Sequence, residues 1–93
     1  MIALENPGPL QLDSSQAGEL ELAPDFTVPY VDLNFAPYVH QRIELGGTEY
    51  VWQRSFPVKG GSAVMPDYVA EQLAQGKQVL VAERSERYNV YLA

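Results

Sequence analysis

The chain has no cysteine among its 93 residues. That excludes a disulfide framework, a thiolate metal site and a cysteine nucleophile. Its apolar runs are only a few residues long, too short to cross a bilayer as a helix. The opening "MIALENPGPL" carries no basic residue, and its apolar start ends at Leu4, so it does not read as a secretory signal. The expectation is a soluble protein made in the cytoplasm. Basic residues are scarce and unevenly placed. Residues 1–37 hold Glu5, Asp13, Glu19, Glu21, Asp25 and Asp32 with no Lys or Arg, whereas six acids and six bases follow. The whole net charge of −6 therefore sits in the first 37 residues. A surface of that sign is unsuited to phosphate backbones, so direct nucleic-acid binding is not expected. An acidic segment instead suits steering toward a basic surface.

What is present is apolar material, 46% of the residues, enough for one small core. Residues 1 to about 26 are broken by Pro7, Gly8, Pro9, Gly18 and Pro24, and between them Leu10/Leu12 and Leu20/Leu22 alternate with polar residues. This is edge-strand or extended-arm patterning. The stretch "VPYVDLNFAPYV" is dense in large apolar groups, yet Pro29 and Pro37 interrupt it. Proline removes a ladder donor and pushes the preceding residue to extended geometry. Burying a large apolar side chain gives about 1.5–3 kcal/mol, and fixing each backbone residue costs about 1–2 kcal/mol. Such a segment orders only against other surface. The expected division is an extended acidic N-terminal arm, residues 1–37, and a compact β-rich body, residues 38–93. The residues expected to bind a partner are Phe26, Val28, Tyr30, Val31, Leu33, Phe35 and Tyr38.

The body opens with a hairpin signal, "YVHQRIEL", then Gly46-Gly47, then "TEYVWQRSFPV". A two-residue Gly-Gly turn pairs Leu45 with Thr48, Ile43 with Tyr50, Gln41 with Trp52 and Val39 with Arg54. Val39, Ile43, Leu45, Tyr50 and Trp52 then share one face, which Phe56 and Val58 extend. "KGG" at 59–61 predicts a turn, and "SAVM" a short strand or connection. "PDYVAEQLAQG" predicts one helix, with Pro66 at its start, an apolar stripe of Val69, Ala70 and Leu73, and Gly76 past its end. "QVLVAERSERYNVYL" predicts a second hairpin whose first strand is apolar on both faces, hence central. The fold class expected is mainly β: a small antiparallel sheet or barrel-like body, one short helix and the extended arm.

No motif names a reaction. His40, the single histidine, has no evident nucleophile or orienting acid in its pattern. "VKGGSA" places lysine before the glycines, the reverse of a phosphate loop, and reads as a turn. "DSSQAGELE" carries oxygen ligands but departs from calcium-loop spacing. No catalytic residue, cofactor or metal ligand is assigned, and the chain is not read as an enzyme. Nine aromatics from Tyr30 to Tyr91, more than a small core hides, point to protein interfaces.

The arm through "FTVPYVDLNFAPYV" and the body "GGTEYVWQRSFPVKGGSAVMPDYVAEQLAQGKQVLVAE" together resemble, in size and layout, small phage virion proteins of the decoration or connector kind. The resemblance implies a non-enzymatic structural protein. It implies many copies docked on one another or on capsid, head-tail or tail subunits, without cofactor or membrane. The alternative is an acidic inhibitor, a DNA mimic or antitoxin-like protein, acting on a basic enzyme. A mimic calls for dense paired charge, and only Glu19 and Glu21 lie close together.

Overall fold

The computed structural model describes residues 8–22, 26–59 and 64–93. The chain is mainly β, and its described residues form seven strands in one sheet and one α-helix. The strands are β1 (Leu10–Leu12), β2 (Gly18–Leu22), β3 (Phe26–Asp32), β4 (Arg42–Leu45), β5 (Thr48–Pro57), β6 (Val79–Arg84) and β7 (Arg87–Leu92). The helix α1 spans Val64–Ala74, between β5 and β6. The sheet order is β1-β4-β5-β7-β6-β3-β2. It is mixed, because β1 runs parallel to β4 and β3 parallel to β6. β5 and β6 also run the same way with β7 inserted between them, so β5–α1–β6 is a crossover around a hairpin partner.

The first hairpin forms in the expected register, Leu45 opposite Thr48 and Ile43 opposite Tyr50. Gly46 and Gly47 take φ of 58° and 87°, the left-handed values a two-residue primed turn demands. Trp52 N–H still reaches Gln41 C=O at 2.8 Å, but the chain has left the ladder by Val39. Arg54 pairs with Val90 instead. A bulge at Gln53 explains the rest of the difference. One extra residue reverses which face the following side chains take. Tyr50 and Trp52 therefore join one core cluster, while Phe56 joins the other.

Both sheet faces are covered. On one, Leu22, Val28, Phe56, Val79, Val81, Val90 and Leu92 pack with Met65 and Val69 of α1. On the other, Val31, Leu33, Ala36, Ile43, Leu45, Tyr50, Leu80, Ala82 and Tyr91 form a second cluster. The central strands β6 and β7 feed both, as the two-faced pattern of 79–82 predicts. Two polar residues are buried among the described ones, Gln72 on the helix and Asn89, whose side chain accepts from Trp52 Nε1 at 3.0 Å and donates to Ala82 C=O at 3.4 Å. The β6–β7 turn is Ser85-Glu86, both at positive φ, 55° and 61°. Neither is glycine, so the turn stores about 1–3 kcal/mol per residue.

The helix starts two residues before the expected Pro66, which still sits in the first turn, where a missing N–H breaks no bond. It ends in a left-handed Gly76, with Gly76 N–H on Leu73 C=O at 2.9 Å and Lys77 N–H on Gln72 C=O at 3.2 Å. That is the paired capping arrangement glycine permits. The buried stripe is Met65, Val69 and Gln72; of the expected Val69, Ala70 and Leu73, Val69 is buried, Ala70 half-buried and Leu73 exposed. The expected turn at 59–61 lies outside the described residues beyond Lys59, as do Ser62 and Ala63 of the expected connection.

The first 37 residues differ most from expectation. Within them, 10–12, 18–22 and 26–32 are strands of the same sheet as the body. The division at residue 37 does not correspond to a boundary in this fold. β3 lies between β2 and β6, and Val28, Val31 and Leu33 are 2%, 2% and 4% exposed. The prolines are accommodated locally. The β3–β6 ladder begins at Tyr30, immediately after Pro29, so the missing N–H falls at the end of that ladder and not within it.

The two ends of the sheet are joined by five residues. β1 and β2 are its opposite edges, yet only residues 13–17 separate them. Six inter-strand steps in a flat sheet span about 29 Å. Extended chain from Leu12 to Gly18 reaches at most about 21 Å. Ser14–Gln16 forms a 3-10 turn, which shortens that reach. The sheet is therefore rolled. β1 and β2 run in one direction, as a single segment handed from one edge to the other.

Candidate functional site

The connection between β3 and β4, residues 33–41, carries three of the six exposed large apolar side chains among the described residues. Its path follows from a few residues. Asp32 accepts from Asn34 N–H at 2.9 Å and from the Asn34 side-chain amide at 2.7 Å, turning the chain as it leaves β3. These bonds, the backbone one first, hold the Asp32 carboxyl below its ordinary value. Leu33 and Ala36 point inward, each 4% exposed. Pro37 then prevents any helical continuation.

The loop is tied to three strands and a turn. Leu33 N–H donates to Glu83 C=O at 2.9 Å, and Trp52 N–H to Gln41 C=O at 2.8 Å. Arg84 Nε donates to Ala36 C=O at 2.9 Å, and Ser85 N–H to Asn34 Oδ1 at 2.9 Å. The Tyr91 hydroxyl donates to His40 C=O at 2.6 Å, and burial pushes that hydroxyl's pKa up to about 12. The strained Ser85-Glu86 turn is thus one of the loop's supports.

On this base Phe35, Tyr38 and Val39 stand out, 70%, 55% and 38% exposed. The Tyr38 and His40 rings lie 4.6 Å apart, tilted by 35°. Beside them a shallow depression of about 440 Å³ is lined by Gly8, Pro9, Leu10, Gln11, Tyr38 and His40. His40 Nδ1 is buried and has no hydrogen-bond partner among the described residues. The structure places no nucleophile or carboxylate on the His40 ring among the described residues, so no proton-transfer pair is assembled there. No three His, Cys, Asp or Glu side chains converge as a metal site among the described residues. No helix of the described chain is long and apolar enough to cross a membrane.

The seven residues expected to bind a partner separate into three groups. Val28, Val31 and Leu33 are core residues of the chain itself, and their surface is not available to another molecule in this fold. Phe26 and Tyr30 are half-buried against the helix-side cluster. The Tyr30 hydroxyl donates to Glu83 Oε1 at 2.6 Å. Burial and this carboxylate raise the Tyr30 pKa well above the ordinary tyrosine range. Only Phe35 and Tyr38 stand exposed, on one loop. Val39 is exposed on the same loop, and Asn34, Arg84 and Tyr91 support that loop; sequence reading missed all four in that role. No local pattern marks such supports, because each acts across 48 or more residues of sequence. Comparison with protein families, curated proteins and solved structures returned no match.

Proposed function

We propose that this chain is a non-enzymatic assembly protein that docks on a protein partner through the loop bearing Phe35, Tyr38 and Val39. A phage virion, with a capsid, head-tail or tail subunit as partner, is the setting suggested by the resemblance in size alone, since the arm behind the resemblance in layout is part of the sheet. One observation carries the docking reading: three large apolar side chains stand in solvent on a loop that five hydrogen bonds hold in place. Ordering an interface side chain on binding costs about 0.5–1.5 kcal/mol, and a loop fixed beforehand avoids much of the backbone share. Aromatic anchors dominate protein interfaces, and exposed apolar patches mark them.

The test compares tagged wild type with Phe35→Ser/Tyr38→Ser and with Glu19→Gln/Glu21→Gln. Each is used to capture the partner from the natural source, and the purified partner is then titrated calorimetrically. The aromatic double variant should bind at least about 100-fold more weakly with an unchanged melting temperature. Raising salt fivefold should alter wild-type affinity only slightly, since apolar docking is not screened. Affinity that collapses with salt, falls with the acid variant and survives the loss of both aromatics would instead establish the acidic-inhibitor reading.

A further inference from the structure

Among the described residues β2 is an outer edge of the sheet, hydrogen-bonded on one side to β3 and to no other strand. Among the described residues no backbone bond runs from Gly18–Leu22 to anything else. An edge like this presents N–H and C=O groups every second residue, a template for another strand. Its side chains are sorted. Glu19 and Glu21 are exposed on one face, while Leu20 is half-buried and Leu22 buried on the other, against the helix-side core.

That sorting discriminates between occupants. A second copy pairing antiparallel about Leu20 sets Glu19 opposite the partner copy's Glu21, and the reverse, with Cβ atoms about 5 Å apart. Like charges at that spacing oppose a β2–β2 dimer. The same two carboxylates favour a strand carrying Lys or Arg at alternate positions with an apolar residue between, seated beside Leu20. Among the described residues no basic side chain pairs with either glutamate; the one ion pair there joins Arg42 and Glu49 at 3.0 Å. The net charge of −6 draws such a segment in from a distance. We infer that the β2 edge accepts an extended protein segment of alternating basic and apolar residues, extending the sheet by one strand. This surface uses none of the residues of the 33–41 loop, so either can fail alone.

The probes are four: a fluorescent eight-residue peptide alternating lysine and valine, its glutamate–valine counterpart, the lysine peptide methylated on every internal backbone nitrogen, and an unlabelled lysine peptide for NMR. Binding is read by anisotropy at low salt. The lysine peptide should bind at least tenfold tighter than the glutamate peptide and than its methylated form. The amide signals of Gly18–Leu22 should shift and gain exchange protection. Glu19→Lys/Glu21→Lys, a change on an exposed face, should reverse the preference toward the glutamate peptide. Phe35→Ser/Tyr38→Ser should leave all of this unchanged. Equal binding of the methylated peptide would mean charge attraction without strand addition and overturn the inference. So would an unreversed preference after the charge swap, or a peptide-free dimer whose shifted amides are those of β2.

Discussion

Tyr91 joins three roles at one position: it fills the second core cluster, spans toward the loop and donates to His40 C=O at 2.6 Å. It is 1% exposed, and burial raises its folded-state pKa from 10.0 to about 12. Tyr30 is moved in the same direction. A group raised on folding stabilises fully below its unfolded pKa, and that contribution is lost as pH rises toward the folded value. The urea midpoint should therefore hold level from pH 7 to 9.5 and fall between pH 10 and 12. Tyr91→Phe should lower the midpoint at pH 7, by about 1 kcal/mol for the lost hydrogen bond. It should also make the alkaline fall shallower, because one titrating group is gone. A slope unchanged from wild type would show that the alkaline loss arises elsewhere. Nothing in the residues around Tyr91 signals this contact, since its acceptor is a main-chain oxygen 51 positions away.

At the scale of elements, the parts set by local chemistry were legible: the Gly46-Gly47 turn and its register, the glycine-ended helix, and the two-faced central strand at 79–82. The same two-faced signature is present in 26–33, with Phe26, Val28 and Tyr30 on one side and Val31 and Leu33 on the other. Pro29 disguised it, because a proline argues against a central strand unless the ladder starts just beyond it. The bulge at Gln53 was illegible for a different reason. Its evidence is a parity change between Trp52 and Phe56, and both are apolar, so either face satisfies the pattern. Deleting Gln53 restores strict alternation and turns Phe56 away from Met65, Val69 and Tyr68. Losing a buried Phe from a core costs about 3–5 kcal/mol. The deletion should therefore destabilise by at least that amount or prevent folding, monitored by Trp52 fluorescence in urea. Gln53→Ala keeps the extra residue and should cost under about 1 kcal/mol, being an exposed substitution. Equal effects from the two changes would remove the bulge as the device that assigns the faces.

For the whole molecule, the order of strands decides what is separable. The chain visits one edge with β1, crosses to the other with β2, enters the interior with β3, and only then builds β4 onward. Long-range placement of that kind leaves no trace in composition, which is why an acidic, proline-broken first third resembles an arm. Its cost and gain come out differently once its partner surface is the chain itself. Leu22 and Val28 complete the helix-side cluster, and Val31, Leu33 and Ala36 complete the other. Without residues 1–37, β6 becomes an edge, with Val79, Leu80, Val81 and Ala82, all now 2% exposed or less, uncovered in part. Each large aliphatic side chain contributes about 1.5–3 kcal/mol on burial, and four, Leu22, Val28, Val31 and Leu33, are deleted with the segment. Small domains have about 5–15 kcal/mol in total. The fragment 38–93 should accordingly lack a cooperative urea transition and dispersed amide signals. Adding residues 8–37 as a separate peptide should restore both in part, because the missing strands are then supplied in trans. A fragment that folds alone, with wild-type dispersion, would return the first third to the status of an appendage and reopen its buried residues as a docking surface.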